Sequence, residues 1–135
     1  MGAGDLEAFR TAGGTLFSLG LVKESEGNLS TWDGERLRIT RTGCELARLR
    51  EEDVLEGTLD QPPANASSDL SIHLRWYRDR GPGAVAHAHP AGTVPDGWLE
   101  GQDHGSYAFG ETLLAAVSGI VRSARRPGQG GGGAP

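Results

Sequence analysis

The chain has 135 residues and a mass of 14.2 kDa, which is the size of a single domain. Its 13 lysine and arginine residues against 18 aspartate and glutamate residues give a net charge of −5, which excludes the basic surface of a non-specific nucleic-acid binder. The single cysteine, Cys44, leaves no pair for a disulfide or a thiolate zinc site, and the absence of a long apolar run or signal core predicts a cytoplasmic protein with no membrane partner.

A helix is predicted near the N-terminus. Apolar residues recur at helical spacing over residues 5–19, after Asp5 as a possible N-cap, and Gly20 would end the helix. Gly13 and Gly14 weaken its middle by roughly 1 kcal/mol each relative to alanine.

A hairpin, a short helix and a brief strand are predicted next. Asp33-Gly34 separates two short β-capable runs, residues 27–31 and 35–40, which predicts two antiparallel strands. Residues 44–52 alternate leucines with charged residues and predict a short helix. Val54-Leu55 then predicts a brief strand before a proline-containing turn.

The second half of the chain predicts a helix followed by a strand. Residues 67–69, Ser-Ser-Asp, supply N-cap chemistry ahead of an apolar stripe that predicts a helix over residues 70–80. In the strand predicted over residues 84–89 every second side chain is an alanine, so His87 and His89 point to the same face.

A last helix is predicted over residues 107–121, with Ser106 as its candidate cap. The glycine-rich residues 127–135 are expected to form a disordered tail. The predicted organisation is therefore one folded domain, residues 1–126, followed by this tail.

Two histidines are candidate metal ligands. The Cα atoms of His87 and His89 are expected to lie roughly 6–7 Å apart on one strand face, which suits a single divalent ion. The alternative is two half-buried histidines without a ligand, and their spacing alone does not separate the two. His73 lies on the apolar stripe of the preceding helix and is expected to be a hydrogen-bonded core histidine.

Three polar turns are candidate anion sites. Ser67 and Ser68 at a helix start suit a phosphate or carboxylate, although ordinary capping also explains them. Residues 27–30 and 40–43 are rich in hydroxyl, amide and backbone donors, which turn chemistry alone also explains. Arg41, between two threonines, is placed to meet an anion.

Taken in order, these motifs resemble the class II aldolase/adducin family: Gly-Asn-Leu-Ser, Ile-Thr-Arg-Thr-Gly, Ser-Ser-Asp, then Ala-His-Ala-His-Pro. The match runs from about Phe9 to His89. The resemblance implies a three-layer α/β/α fold with a central mixed, mainly antiparallel sheet, truncated at its C-terminal side. It also implies a zinc-dependent lyase that cleaves or isomerises a small sugar phosphate through a metal-stabilised enediolate or, as in adducin, a non-catalytic interaction module.

The resemblance further implies roles for individual residues. Asp69 falls where the family has a glutamate acting as acid and base, and His87 and His89 fall on two of its zinc ligands. His104 is the remaining histidine for a third ligand, although it does not align with the family's own third histidine. Asp69 or a partner subunit could complete the ligand set instead. The residues expected to bind the phosphate or other anion of a small carbonyl substrate are Ser25, Gly27, Asn28, Thr42, Gly43, Ser67 and Ser68. The family also implies a homo-oligomer, a tetramer.

Overall fold

The computed structural model describes residues 2–89 and 106–124. The strands are β1 (Asn28–Trp32), β2 (Leu37–Thr40), β3 (Val54–Gly57), β4 (Gly83–Ala88) and β5 (Ser106–Gly110), and the α-helices are α1 (Ala3–Ser18), α2 (Leu70–Arg80) and α3 (Leu113–Ala124). The strands form one sheet in the order β3-β2-β1-β4-β5. Among the described residues, no helix is long and apolar enough to cross a membrane. The predicted tail, residues 127–135, lies outside them.

Helices cover both faces of the sheet. On one face, the alanines of β4 are buried in a core that includes Leu16 of α1 and Val117 of α3. On the other face, Val85 of β4 packs with Leu74 and Tyr77 of α2. The predicted three-layer α/β/α fold with a mainly antiparallel sheet is confirmed, and the described strand pairings are antiparallel throughout.

The hairpin, α2 and β4 lie where the sequence predicts them. The short helix predicted over residues 44–52 is instead two separate 3₁₀ turns, Leu46–Arg48 and Glu51–Asp53. The backbone is extended at Leu49 between them, so the chain bends there and both leucines of this segment are buried. Val54 follows directly as the first residue of β3.

The last predicted helix is correct only in its second half. The helix predicted over residues 107–121 is wrong for residues 107–110, which belong to β5 and pair with β4. Tyr107 and Phe109 are aromatic, alternate with small residues, and pack against the core under α2. These features favour a strand, and the partner that stabilises it is distant in the sequence.

The caps of the first and last helices also differ from the prediction. Asp5 lies inside the first turn of α1, where its carboxylate accepts the N–H of Gly2 at 3.2 Å. The last helix is capped by Thr112 rather than Ser106, because the Thr112 hydroxyl oxygen accepts the N–H of Ala115 at 3.1 Å. In both helices a polar side chain still satisfies a backbone donor at the first turn.

Gly13 allows α1 to lie directly against the backbone at Leu46. A Cβ at Gly13 would lie 2.2 Å from the Leu46 carbonyl oxygen, whereas no atom of the described residues lies within 4 Å of a Cβ at Gly14. We therefore expect Gly13→Ala to lower the free energy of unfolding by roughly 2–3 kcal/mol. Gly14→Ala should raise it by up to about 1 kcal/mol, because only the helix propensity changes. Urea unfolding followed by circular dichroism measures both, and equal effects would contradict the contact.

Candidate active site

A polar cleft with a volume of about 230 Å³ opens where the start of β1, the end of β4 and the start of α2 meet. It is lined by Ser25, Glu26, Gly27, Asn28, Arg41, Thr42, Gly43, Ser67, Ser68, Asp69, His87 and His89. Every site residue predicted from the sequence within the described ranges is among them. His104, the remaining predicted ligand, lies outside the described residues.

Gly27 brings the start of β1 against the end of β4. Its φ is +81°, and a Cβ there would lie 2.7 Å from the carbonyl oxygen of His87 and 2.7 Å from Val22. Only glycine suits this conformation and this close approach. The register then sets Asn28 directly opposite His87, so an amide and an imidazole share the floor of the cleft.

Backbone hydrogen bonds join two of the predicted anion-binding turns. The N–H of Ser67 donates to the carbonyl of Thr40 at 3.1 Å, and the N–H of Thr42 donates to the carbonyl of Asn65 at 2.9 Å. The turn after β2 is thereby fixed beside the loop that leads into α2. Thr42, Ser67 and Ser68 consequently line the same cleft although they are distant in the sequence.

Arg41 anchors the turn after β2 through an ion pair. Its Nη2 and Nε lie 2.6 and 3.1 Å from Oδ1 of Asp53, whose side chain is 3% exposed. Burial raises the pKa of Asp53, but the N–H of Arg50 and the Arg41 guanidinium outweigh it and hold that pKa below its ordinary value. Arg41, expected from the sequence to meet an anion, therefore meets a carboxylate of its own chain at the edge of the cleft.

The His87 ring is oriented by its surroundings. Its Nδ1 lies 3.2 Å from the carbonyl oxygen of Ser106, which can only accept, so Nδ1 carries the proton. The Tyr107 ring stacks on the imidazole with centroids 4.0 Å apart. Nε2 then faces Asp69, 3.6 Å from its Oδ2. Histidines that bind metals usually donate their second ring N–H to a carbonyl, carboxylate or water in this way.

The two histidines predicted as metal ligands lie side by side in the cleft. The rings of His87 and His89 are neighbours, with centroids 4.7 Å apart. Within residues 2–89 and 106–124, no group of three or more histidine, cysteine, aspartate or glutamate side chains is arranged to hold a metal ion. Two imidazoles are fewer than the three protein ligands that a catalytic zinc ion usually has.

Asp69 is joined to the protein interior by a series of side chains. Its Oδ2 accepts the Nδ2 hydrogen of Asn28 at 2.7 Å. The amide oxygen of Asn28 bonds to Nε2 of His73, and Nδ1 of His73 lies 2.6 Å from the Ser30 hydroxyl. Ser30 lies 2.7 Å from the hydroxyl of Tyr77. The prediction that His73 is a hydrogen-bonded core histidine is confirmed.

The interior part of this series is uncharged. Burial lowers the pKa of His73 to about 3, and the neighbouring His87 contributes to the same shift. Burial also raises the pKa of the Tyr77 hydroxyl. Both side chains are therefore neutral near pH 7.

Two residues of the site, Glu26 and Tyr107, are not predicted from the sequence. Glu26 lines the cleft, and its Oε1 accepts the N–H of Lys23 at 2.9 Å. Nothing in the sequence pattern separates it from an ordinary turn carboxylate. The sequence pattern predicts a helix at Tyr107, and its stacking on His87 depends on the pairing of β5 with β4.

Comparison with known proteins gives consistent matches. Residues 7–95 match the model of the class II aldolase and adducin N-terminal domain. Methylthioribulose-1-phosphate dehydratase of Bradyrhizobium sp. is 33% identical over 118 residues, 85% of this chain and 55% of that protein. L-fuculose phosphate aldolase of Methanocaldococcus jannaschii is 34% identical over 77 residues, 55% of this chain and 42% of that protein. The chain thus spans about half the length of the curated relatives it matches.

A solved structure matches over nearly the whole chain. The crystal structure of L-fuculose-1-phosphate aldolase from Thermus thermophilus superposes with a TM-score of 0.74 at 28% identity. The superposition covers 96% of this chain and 98% of that one. The three-layer fold described above is therefore the fold of these aldolases.

Proposed function

Because this chain belongs to the class II aldolase and adducin N-terminal domain family, as its motifs predict, we propose that it is a lyase acting on a small phosphorylated sugar. One observation carries the proposal. The sequence predicts residues for anion binding, proton transfer and metal binding in four separate segments. Those of them that the structure describes line a single cleft. Relatives named for fuculose phosphate and methylthioribulose phosphate indicate ketose phosphates as the substrate class.

The anion end of the cleft is proposed to lie at the start of α2. Ser67, Ser68 and Thr42 supply hydroxyl groups there, next to the N-terminus of an 11-residue helix. Backbone N–H groups and the positive end of a helix dipole stabilise a phosphate at such a position. The Asn28 amide provides a further donor at the floor of the cleft. Ser25, Gly27 and Gly43 complete the proposed anion site.

His87 and His89 are proposed to hold a divalent metal ion, with His104 as the candidate third ligand. Zn²⁺ at such a position would polarise the carbonyl group of a bound substrate and stabilise negative charge on its oxygen. The protein contributes the orientation of the His87 ring, which the Ser106 carbonyl fixes at Nδ1. It also contributes the polar walls that direct the substrate toward this end.

Asp69 is the proposed acid and base. Its Oδ2 is 2.7 Å from the Asn28 amide nitrogen and 3.6 Å from His87 Nε2, between the proposed anion and metal ends. A carboxylate at this point can accept a proton from a substrate anchored by its phosphate and return it later in the reaction. By the same likeness to the family, the protein is proposed to assemble as a homotetramer in the cytoplasm.

Turnover of ketose phosphates tests the proposal. Purified protein with added zinc is incubated with L-fuculose 1-phosphate or methylthioribulose 1-phosphate, and the carbonyl products are quantified. We expect turnover of at least one substrate and a loss of at least about 10²-fold in His87→Asn. Asparagine keeps an N–H donor toward the Ser106 carbonyl but lacks Nε2, so the fold should persist.

Gln61→Ala, in an exposed turn far along the chain from these ligands, serves as the control variant and should retain wild-type turnover. Wild-type protein that turns over neither substrate, with or without zinc, would contradict the proposed activity. That outcome would favour the alternative, an adducin-like module that binds partners without catalysis.

A further inference from the structure

A continuous series of buried hydrogen bonds leads from α2 to the cleft. It joins Tyr77 to Ser30 at 2.7 Å, Ser30 to His73 at 2.6 Å, His73 to Asn28, and Asn28 to Asp69 at 2.7 Å. Ser30 and His73 are fully buried, and Tyr77 is 1% exposed. Only the last two members reach the cleft, so the other three are not explained by contact with a substrate.

The atom types fix the direction of every hydrogen bond in this series. A carboxylate only accepts, so the Asn28 amide directs its NH₂ group to Asp69 and its oxygen to His73. An amide oxygen only accepts, so Nε2 of His73 carries the proton. Nδ1 of the neutral ring then accepts from Ser30, which in turn accepts from Tyr77. Each donor between His73 and the cleft therefore points toward Asp69.

We propose that His73 is a positioning residue that fixes the NH₂ end of the Asn28 amide toward the cleft and thereby orients Asp69. Without the Nε2 hydrogen of His73, the amide is held only by the bond from its NH₂ group to Asp69, and its buried oxygen loses its donor. The amide, and with it the Asp69 carboxylate, is then held less firmly in the cleft. The low pKa of His73 supports this role, because only a neutral ring can donate at one nitrogen and accept at the other.

That His73 fixes the Asn28 amide does not depend on whether the protein is an enzyme. That the amide orients Asp69 for catalysis rests on the proposed function. If His73 only stabilised the fold, replacing it would affect Asn28 and Asp69 only by destabilising the protein. The experiment therefore needs variants of equal stability that differ only in the donor to Asn28.

Nuclear magnetic resonance of the full chain, labelled with ¹⁵N, reports the orientation directly. Between pH 5 and 8, the imidazole ¹⁵N shifts of His73 should show a neutral ring protonated at Nε2. In His73→Leu, the Asn28 side-chain amide protons should exchange with water about tenfold faster or more than in the wild type. His73→Gln carries an N–H group at the same distance along the side chain as Nε2 and should restore slow exchange.

Two further variants keep the test decisive if His73→Leu does not fold. Tyr77→Phe removes the hydroxyl at the far end and should shift the Nδ1 resonance of His73. Val117→Ala, in the core on the opposite face of the sheet, destabilises the fold without touching the series and should leave the His73 and Asn28 signals unchanged.

A His73 ring protonated at Nδ1, or charged at pH 7, would overturn the proposal. Asn28 amide exchange that is the same in the wild type, His73→Leu and His73→Gln would also overturn it. Where the wild type is active, kcat should fall about tenfold in His73→Leu and recover in His73→Gln. If the NMR signals are as expected but the protein turns over no ketose phosphate, the positioning by His73 is supported and the proposed function is contradicted.

Discussion

Asp69→Asn is expected to lower kcat for a ketose phosphate by about 10²–10⁴-fold, the usual contribution of a general acid or base. Asparagine retains an oxygen that can accept the Nδ2 hydrogen of Asn28, so the contact seen at 2.7 Å should survive. It cannot take up a proton from the substrate. Steady-state kinetics with zinc present, supported by a thermal unfolding midpoint near that of the wild type, measure this effect.

Asp69→Glu provides the matched comparison, because the resemblance places a glutamate at this position in the family. We expect its kcat to stay within about tenfold of the wild type, since a carboxylate remains and only its reach changes. Asp60→Asn, at an exposed turn position, should have no effect on turnover. Equal losses in Asp69→Asn and Asp69→Glu would show that the carboxylate does not transfer the proton.

Acid is expected to destabilise the fold through His73. Burial lowers its pKa from 6.5 to about 3, so the unfolded chain binds a proton between these values that the folded chain does not. Above pH 6.5 the ring is neutral in both states, and the free energy of unfolding does not depend on its titration. As the pH falls from 6.5 toward 3, the unfolded chain takes up the proton and the free energy of unfolding decreases. Near pH 4 the loss amounts to about 3 kcal/mol.

His73→Gln should flatten this pH dependence, because glutamine does not titrate. Urea unfolding of both proteins at several pH values between 6.5 and 4.5 isolates the effect. Asp53 also loses stabilisation in acid, because its pKa is below the ordinary value, but that loss falls at lower pH and is common to both proteins. Parallel pH profiles for the wild type and His73→Gln would contradict a neutral, buried His73.

Elements defined by neighbouring residues were predictable from the sequence. The Asp33-Gly34 turn is one example, since the Asp33 carboxylate accepts the N–H groups of Glu35 and Arg36 at 2.9 and 2.7 Å. The alternation over residues 84–89 is another, because strand geometry alone places His87 and His89 on one face. The residues that determine such a turn or strand pattern lie next to one another in the sequence, so the pattern does not depend on the rest of the fold.

Features that depend on distant partners were not predictable in the same way. Residues 107–110 form a strand because β4 offers them an edge, and the local pattern was equally compatible with a helix. The bonds of His73 to Ser30 and Asn28 span more than forty residues. The grouping of the cleft residues came from resemblance to a family rather than from spacing, because the backbone bonds that join their segments leave no mark in the sequence.

The metal content of the wild-type protein, purified without chelator or histidine tag, tests the proposed metal-dependent lyase most directly. Elemental mass spectrometry should find about one zinc or similar divalent ion per chain. His87→Asn, which keeps the N–H donor to Ser106 and loses Nε2, should contain almost none. A wild-type protein that holds no divalent metal after incubation with zinc would contradict the proposal and leave an aldolase-like fold that acts by binding.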